Sequence, residues 1–354
     1  MRSRLGGLLA LVVAAATVLA GGVGAGASAA GGAALPAGVI SGQTPLTADV
    51  ADTVRGTGVA AQQQALAQYW SAARMQQALP ANQLPSVKQA AANANVQQRL
   101  ANSATTPDGP PVKIAPVAAT SALATPKAVP QSSYPNYPIG HPVARTYGKV
   151  FFTNAALNYV CSATVVNTEG RSTVWTAGHC VSEGGAWNTN WVFVPNYVNG
   201  SAPYGYWYSY KLWATTAWVN NNNDLANDFG AATLYRHNGS LINDVLGGQG
   251  IEFNHSVSYT AYAFGYPQES PFNGAYLVGC NGTTFDNGGY TIGLYCDMTG
   301  GSSGGAWLRE FNGNLGYING HNDFKFPSSP SYMYSPYYGK NAGSLYNSVR
   351  YISP

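Results

Sequence analysis

The stretch that decides the fold is Cys296-Asp-Met-Thr-Gly-Gly-Ser-Ser303-Gly-Gly-Ala-Trp307, in which two glycines stand on each side of a Ser-Ser pair. Glycine lets the backbone turn sharply and aim successive N–H groups into one concavity, where the negative charge of an oxyanion can be stabilised. Alone, the stretch fits a plain Gly/Ser surface loop equally well. Its interpretation depends on the residues that precede it in the chain.

A candidate general base lies upstream, in Thr176-Ala-Gly-His179-Cys180, and a further cysteine, Cys161, precedes it. A histidine held beside a disulfide at the end of a strand has a backbone-fixed position, which a general base needs. A histidine beside a cysteine is, by itself, more often structural. The glycine-rich serine turn favours the catalytic interpretation.

A carboxylate that orients the imidazole has two candidates, Asp224 and Asp228, in the stretch from Asn223 to Ala232. Asp228 opens a run of small apolar residues, so we expect it to point inward from the edge of a strand. Asp224 stands among asparagines and is expected to be solvated. We therefore assign the role to Asp228. A serine hydroxyl needs such a base to take its proton as it attacks.

The remainder of the second part of the chain has a β-rich texture. Short runs rich in β-branched and aromatic residues, such as 149–152, 160–166, 172–176 and 229–235, alternate with Asn/Gly turns. Roughly a dozen such runs follow one another from residue 131 onward, a pattern typical of antiparallel barrels or sandwiches. The sequence therefore predicts an all-β domain over residues 131–354.

The first 130 residues differ in composition from the β-rich part of the chain. Arg2 and Arg4 precede an apolar run over residues 5–20, and Ala27-Ser28-Ala29 offers a small-x-small cleavage site. This pattern predicts a signal peptide over residues 1–30, and four interspersed glycines disfavour the alternative of an uncleaved membrane anchor. Residues 31–130 combine Ala/Gln-rich helical runs (59–79 and 87–101) with six prolines between Pro107 and Pro130. We interpret them as a pro-segment with an extended, exposed Pro-rich linker. A spacer with no inhibitory role is the alternative.

Composition excludes several function classes. Only 9% of the 354 residues are charged, which excludes coiled coils and acidic tails. Residues 1–130 contain 8 Lys/Arg against 3 Asp/Glu, whereas residues 131–354 contain 9 against 11. The second part is thus faintly acidic and has no electrostatic basis for binding nucleic acid. Three histidines, His141, His237 and His255, show no metal-ligand spacing, so we expect no metal and no cofactor.

These motifs resemble those of the chymotrypsin-fold (trypsin-like) serine peptidases, over about residues 145–325. The resemblance rests on residues 161–166 with 176–180, on Asn227-Asp228-Phe-Gly-Ala, and on Gly301-Ser-Ser303-Gly-Gly305, which occur in the family's order. It implies two antiparallel six-stranded β-barrels with the active site between them. It also implies Ser303 as nucleophile, His179 as general base and acid, and Asp228 as the residue that holds the imidazole.

Further site features follow from the same resemblance. The backbone N–H groups of Gly301 and Ser303 would form the oxyanion hole. The family pattern favours disulfides Cys161–Cys180 and Cys280–Cys296 among three possible pairings of the four cysteines. Ser302 replaces the aspartate that precedes the nucleophile in digestive enzymes, and no Ile-Val-Gly-Gly start exists. Activation would therefore follow removal of the pro-segment, by a cut between about residues 125 and 145, as in secreted microbial members including the glutamyl endopeptidase-like group.

Side-chain preference stays open at this point. Asp297 precedes Ser303 by six residues, the spacing at which trypsin-like enzymes carry a carboxylate that selects Arg or Lys. His321 follows Ser303 by 18 residues, near the place where glutamyl endopeptidase-like members bind an acidic side chain with a histidine. His321 fits equally well as a rim histidine or as one bonded to Asp323. One pocket cannot follow both patterns.

The expected function is that of a secreted, extracellular serine endopeptidase, a monomer that acts on proteins or peptides and has no membrane attachment after signal cleavage. Gly301-x-Ser303-x-Gly305 also matches the nucleophile elbow of lipases, but that fold needs alternating helices and strands, with Asp and His after the serine. A catalytically inactive homologue that binds other molecules through its many aromatic residues is the alternative. The intact set of His179, Asp228 and Ser303 disfavours it.

Overall fold

Strands dominate the part of the chain that the structure describes, which in this computed structural model comprises residues 38–97, 104–120, 139–220 and 224–354. The predicted signal peptide, residues 1–30, lies outside the described residues, as does most of the region of the expected maturation cut. None of the described helices has the length and apolar character that a membrane span needs.

The predicted pro-segment contains short strands and helices. They are β1 (Val39–Gln43), α1 (Ala48–Ala51), α2 (Val59–Tyr69), α3 (Ala72–Gln76), β2 (Leu79–Pro80), α4 (Pro85–Gln97) and β3 (Val112–Ile114). The first predicted helical run is divided in two, because Ser71 begins a new helix by accepting a hydrogen bond from Arg74 N–H at 3.3 Å. The second run corresponds to α4, which starts at a proline as the first turn of a helix allows.

A closed antiparallel barrel follows. Its elements are α5 (Pro142–Thr146), β4 (Tyr147–Asn154), β5 (Leu157–Val165), β6 (Thr173–Ala177), β7 (Ser182–Glu183), β8 (Ala186–Trp187), β9 (Thr189–Pro195), β10 (Trp207–Thr215), α6 (Thr216–Asn220) and β11 (Phe229–Leu234). Six strands pair in the order β10-β11-β6-β5-β4-β9, and β9 pairs with β10 to close the ring. β9 pairs with β10 only at Trp207 and Tyr208, so the ring closes there while residues 211–215 of β10 stay open to a further strand.

The second half of the domain is built from two sheets. Its elements are α7 (Ile242–Leu246), β12 (Gly250–Phe253), β13 (Thr260–Gly265), β14 (Val278–Thr283), β15 (Phe285–Gly288), β16 (Thr291–Tyr295), β17 (Ala306–Arg309), β18 (Tyr317–His321), β19 (Tyr332–Pro336) and α8 (Lys340–Val349). One sheet has the order β14-β13-β17-β18-β12-β3, and the other has the order β15-β16-β19. The predicted all-β class is confirmed.

The pro-segment adds a strand to each half of the domain. β1 pairs antiparallel with β10, β2 pairs parallel with β5, and β3 pairs antiparallel with β12. Residues 107–113 are exposed to solvent, as expected of a linker, but the chain is not free there. Residues 112–114 are extended, as their composition predicts, but their backbone groups pair with β12, because a free sheet edge accepts any extended chain.

Both predicted disulfides are confirmed. Cys161–Cys180 joins β5 to the turn after β6, and Cys280–Cys296 joins β14 to the residue after β16. The first pair is fully buried within the apolar cluster of the barrel, whereas Cys280 is half-buried. Each bond therefore fixes one of the loops from which the candidate site is built.

Candidate active site

The centre of the site is a buried pair, His179 and Asp228. His179 lies in the single turn Gly178–Cys180 directly after β6, and Asp228 lies directly before β11. The Nδ1 of His179 is 2.9 Å from Oδ2 of Asp228, and its backbone N–H donates to Oδ1 at 2.8 Å. A Cβ at Gly178 would lie only 2.7 Å from Oδ1 of Asp228, so the close approach requires glycine. One carboxylate thus fixes both the ring and the backbone of the histidine.

A second carboxyl, that of Asp323, reaches the same ring. Its Oδ1 is 3.5 Å from Nδ1 of His179, and both side chains are fully buried. Burial raises the pKa of Asp323 well above its usual range, and the charge of Asp228 adds to this rise. Burial, the largest single influence, would also raise the pKa of Asp228, but the charge of His179, its hydrogen bond and smaller contributions from Asp323 and His321 together lower that pKa. The charged form is therefore favoured at Asp228 and disfavoured at Asp323.

The imidazole is tuned by these neighbours. Burial alone would lower the pKa of His179, but the charge of Asp228 and its hydrogen bond, with a smaller contribution from Asp323, raise it to about 10. The Nε2 atom is buried and has no hydrogen-bond partner among the described residues. A ring held through Nδ1 with Nε2 unpaired is arranged to exchange a proton at Nε2.

Ser303 lies beside this pair because its turn packs against β5 and the first disulfide. Its carbonyl oxygen accepts a hydrogen bond from Ser162 N–H at 2.7 Å and is 3.7 Å from Sγ of Cys180, the residue after His179. The turn depends on its glycines: φ is +98° at Gly301 and +82° at Gly304. Residues that carry a side chain rarely adopt such positive φ values. The structure therefore brings His179 and Asp228 into contact and holds the backbone of the Ser303 turn next to Cys180, the residue after His179.

The predicted oxyanion-hole donors are also available. Among the described residues, no acceptor lies at hydrogen-bond distance from the N–H groups of Gly301 or Ser303. The carbonyl oxygen of Gly301 accepts a hydrogen bond from Oγ of Ser162 at 2.9 Å, which fixes the orientation of the neighbouring peptide. Two such donors on one turn are the groups that an oxyanion site needs.

A cavity of about 340 Å³ opens next to Ser303. Its walls come from residues 297–303 and 323–330, from Met333, and from α4 of the pro-segment. Asp297, which the sequence placed in a specificity pocket, lines this cavity and is exposed to solvent. Lys325 lines it as well and was missed by sequence reasoning, because no local motif marks a lysine 22 residues after the serine.

His321, the second expected pocket residue, is not brought to the cavity. Its side chain is fully buried, its Nδ1 is 2.9 Å from the hydroxyl of Tyr338, and its ring packs edge-to-face against Phe229. Burial lowers the pKa of His321 to about 3, so the ring is neutral. Its position at the end of β18 turns it towards the core behind Asp228 rather than towards the substrate side.

The pro-segment crosses the mouth of the site. Asn82 and Gln83 donate side-chain hydrogen bonds to the two carboxylate oxygens of Glu269 at 3.2 and 3.3 Å, and Gly300 N–H donates to one of them at 3.2 Å. The backbone N–H of Ser86 donates to Glu183 at 2.9 Å, and its hydroxyl also bonds that carboxylate.

Two apolar residues of the same part of the pro-segment also contact the domain. Ala81 and Leu84 are fully buried, in the apolar cluster that includes the Cys161–Cys180 disulfide. Both polar and apolar contacts therefore hold residues 81–86 against the site. Residues 81–86 lie between the two predicted helical runs, 59–79 and 87–101, and the sequence alone offered no means of placing them.

Two sets of side chains among the described residues have donor atoms close enough together for a metal ion. One is Cys161, His179 and Cys180, whose sulfurs are joined in a disulfide. The other is His179, Asp228 and Asp323. In this second set, Nδ1 of His179 is already bonded to Asp228.

Fold and site together define an all-β, disulfide-bonded protein with a His–Asp pair beside a glycine-held serine. No protein-family model and no curated protein sequence matches the chain. Among solved structures, the protease Anisep from Arthrobacter nicotinovorans is similar at 43% identity and a TM-score of 0.56, over 58% of this chain and 96% of that one. The thermostable serine protease AL20 from an extremophilic microorganism is similar at 36% identity and a TM-score of 0.56, over 59% and 98%.

A Glu endopeptidase solved in complex with MPD is similar in fold alone, at 16% identity and a TM-score of 0.50, over 61% of this chain and 95% of that one. The chain belongs to the chymotrypsin-fold serine proteases. The resemblance drawn from the sequence is confirmed, as is the chymotrypsin-like, double-barrel fold class.

Proposed function

We propose that the protein is a secreted serine endopeptidase, made as a pre-pro-protein, that hydrolyses peptide bonds through an acyl-enzyme on Ser303. The observation that carries this proposal is the 2.9 Å contact between His179 Nδ1 and Asp228 Oδ2, fully buried beside the Ser303 turn. Proteins or peptides are the substrates. The proposed reaction requires no cofactor, because one base and two N–H donors supply the necessary proton transfer and charge stabilisation.

The proposed mechanism starts with attack of the Ser303 hydroxyl on the substrate carbonyl while His179 Nε2 accepts its proton. Asp228 keeps the Nδ1 proton in place and stabilises the imidazolium. The N–H groups of Gly301 and Ser303 bind the oxyanion, and His179 then returns the proton to the leaving amine. A water molecule then attacks the acyl-enzyme through the same steps and releases the acyl group. These roles follow the family pattern, and the contacts at His179 and Ser303 support them.

We further propose that residues 31–130 keep the enzyme latent until they are cut from the domain at 131–354. Ala81 and Leu84 are fully buried at the site, and Asn82, Gln83 and Ser86 bond the carboxylates on either side of it. A substrate chain needs the same surface, so the two exclude each other.

The conformation of this segment explains why it would resist cleavage. Residues 81–83 form a 3₁₀ turn, and residues 85–97 form α4. Helical carbonyls point along the axis into hydrogen bonds with the next turn, so they are not offered to a nucleophile as an extended chain offers them.

The test is the intact mass of the purified secreted protein before and after reaction with a fluorophosphonate, followed by mapping of the labelled peptide. We expect one adduct, on Ser303, in protein that lacks residues 1–130, and slow labelling in protein that retains residues 31–130. Ser303→Ala should abolish labelling. Ser302→Ala is the matched control, because its hydroxyl already donates to the Thr299 carbonyl at 2.8 Å.

The outcomes separate the two functions considered. Absence of an adduct on protein already lacking residues 1–130 would overturn the proposal in favour of an inactive, binding homologue. An adduct of equal rate with and without residues 31–130 would leave the peptidase function standing and remove the latency.

A further inference from the structure

A lysine of the closed barrel is buried against a loop of the second half of the domain. Lys149, on β4, is only 2% exposed. Its Nζ donates to Oε1 of Gln268 at 2.7 Å and to the carbonyl oxygen of Gly274 at 3.0 Å. Both acceptors lie in the loop between β13 and β14, at residues 266–277. One ammonium therefore joins the first barrel to two points of this loop.

The buried ammonium is not neutralised by a carboxylate. No ion pair formed by the described residues includes Lys149. Its Nζ lies 4.8 Å from the centre of the Tyr197 ring and 5.4 Å from that of Phe151, and such ring faces attract a cation. Burial lowers the pKa of Lys149 to about 7. A buried cation is costly unless its hydrogen bonds are made, so the two contacts with the loop offset part of that cost.

The loop is shaped to receive this side chain. Gly274 has φ +69°, and a Cβ there would lie 2.7 Å from Oε1 of Gln268 and 2.8 Å from Nζ of Lys149, so the approach requires glycine. Gly274 N–H donates to the carbonyl oxygen of Pro267 at 2.8 Å, which closes the loop. An ammonium can only donate, so the amide oxygen of Gln268 faces Lys149. The amide nitrogen then points away, to the carbonyl oxygen of Ala78 in the pro-segment.

The same loop supports the first half of the serine turn. Gln268 N–H donates to the carbonyl oxygen of Gly300 at 2.7 Å. Glu269 N–H donates to Oγ1 of Thr299 at 3.1 Å, and that hydroxyl donates to the carbonyl oxygen of Glu269 at 2.9 Å. Three hydrogen bonds from two neighbouring loop residues thus fix the backbone and side chain directly before Gly301.

The bond to the Gly300 carbonyl bears on the oxyanion site. The carbonyl of Gly300 and the N–H of Gly301 belong to one peptide group, which is planar and, in its trans form, directs the two in opposite senses. A donor that keeps this carbonyl turned towards the loop therefore keeps the Gly301 N–H turned away from the loop. Without that donor, the peptide group could rotate and withdraw the N–H from the site.

We propose that Lys149 is a positioning residue for the oxyanion site. Its ammonium holds Gln268 and Gly274 in place, and the loop that carries them keeps the Gly301 N–H aimed at the substrate carbonyl. Lys149 touches no reacting atom and acts only through this loop. The inference rests on the proposed peptidase function and adds to it a residue of the first barrel that no catalytic motif marks.

The experiment compares Lys149→Met with Lys211→Met, both made in the full chain and isolated as the secreted protein. Lys211 is the matched control, because it is a half-buried lysine of the same barrel with Nζ 5.3 Å from the Tyr210 ring. Turnover of a peptide amide is measured per Ser303 labelled to completion with a fluorophosphonate. Lys149→Met should lower kcat about tenfold, less than the roughly 10²–10³-fold lost when an oxyanion donor itself is removed. KM should stay within about twofold, and Lys211→Met should change neither constant.

A second measurement separates positioning from a general loss of packing. When a peptide aldehyde adds to the serine, its former carbonyl oxygen occupies the place of the oxyanion, so its inhibition constant reports on that site. This constant should rise in Lys149→Met by the factor by which kcat falls. A loss of packing would instead lower the melting temperature and the number of labelled sites, and the remaining sites would keep their kcat and their affinity for the aldehyde.

Gln268→Met tests the same connection from the loop, at a half-buried position, and replaces the lysine variant if that one does not fold. It removes the acceptor of the ammonium but keeps the backbone N–H that bonds Gly300. It should lower kcat to a similar extent. The double variant should lose no more than either single variant, because changes to residues that act through one another are not additive.

The outcomes distinguish this inference from the function on which it rests. Unchanged kcat and aldehyde affinity in Lys149→Met, or in Gln268→Met where the lysine variant does not fold, would overturn the inference and leave the peptidase function standing. Additive losses in the double variant would show that Lys149 does not act through Gln268. A wild-type protein that lacks residues 1–130 and does not label at Ser303 would overturn the peptidase function and this inference together.

Discussion

Two neighbouring regions of the molecule differ in how far their charged side chains are exposed to solvent. One is the buried cluster of His179, Asp228 and Asp323, and the other is the pocket that contains Asp297 and Lys325. In the cluster every charged side chain is fully buried, whereas Asp297 is exposed and Lys325 is half-buried. Buried charges interact strongly, and exposed ones are screened by water and salt. The cluster should therefore determine whether a reaction occurs, and the pocket only with which substrate.

The largest effect should come from a neutral replacement within the cluster. Asp228→Asn should lower kcat by about 10⁴-fold, the loss known for this replacement in the family, because the amide favours the wrong imidazole tautomer. Asp224→Asn is the matched control, since Asp224 is half-buried and bonds only Asn227 at 2.8 Å among the described residues. The measurement is turnover with a melting curve for each variant. If Asp224→Asn proved the damaging change, the assignment of the carboxylate would be wrong.

The two disulfides offer a second comparison between the cluster and the pocket. Cys180 follows His179 of the cluster, whereas Cys296 precedes Asp297 of the pocket. Their sequence separations of 19 and 16 residues predict a similar loss of unfolding free energy, about 3 kcal/mol for each bond. We expect the double Ala variant at Cys161 and Cys180 to lose activity as well, since that bond supports the histidine turn. Chemical denaturation and turnover are measured on both double variants. Equal losses of activity would contradict the difference between the regions.

A smaller effect is expected where the pro-segment meets the site. Ser86→Ala removes a hydroxyl bond to the Glu183 carboxylate, a charge-assisted bond whose loss should speed fluorophosphonate labelling of the uncut protein about tenfold. Ser71→Ala lies in the same segment, at the start of α3, and should leave the rate unchanged. Identical rates for both variants would mean that this contact does not hold the segment in place.

The smallest effect concerns the pH at which the site becomes competent. His179 must be neutral to accept a proton, and its pKa is raised to about 10, so labelling should increase as pH rises towards that value. Asp323 contributes to the rise, so Asp323→Asn should move the midpoint of the labelling profile to lower pH. Asp297→Asn, at an exposed carboxyl, should not move it. A profile that is the same for wild type and Asp323→Asn would exclude Asp323 from the tuning of His179.

Local motifs were sufficient to predict the fold class and the contact between His179 and Asp228. His179, Asp228 and Ser303 each stand in a short stretch whose glycines, cysteines or small residues indicate a fixed turn. The disulfide pairing followed from the family pattern. In each case the physical requirement is local, so a few neighbouring residues carry the signal.

The remaining site residues depend on contacts between distant parts of the chain. Asp323 and Lys325 follow β18, in a stretch with no turn or spacing signal, and only the packing of two loops brings them to Ser303. The placement of α4 over the pocket is equally non-local. His321 was misleading for the same reason: its distance along the chain suggested the pocket, but the direction of the last residue of β18 turned it towards Tyr338.

The three strands β1, β2 and β3 have a consequence for activation. A single cut after residue 120 would leave all three of them paired with the domain, one on each of β10, β5 and β12. Cleavage alone would therefore produce a non-covalent two-chain complex, and activity would appear only as the severed chain dissociates. Attachment at three places keeps the local concentration of each strand high, so dissociation is slow, and the fraction of dissociated enzyme increases on dilution. Activation would then depend on dissociation of the severed pro-segment as much as on the cut itself.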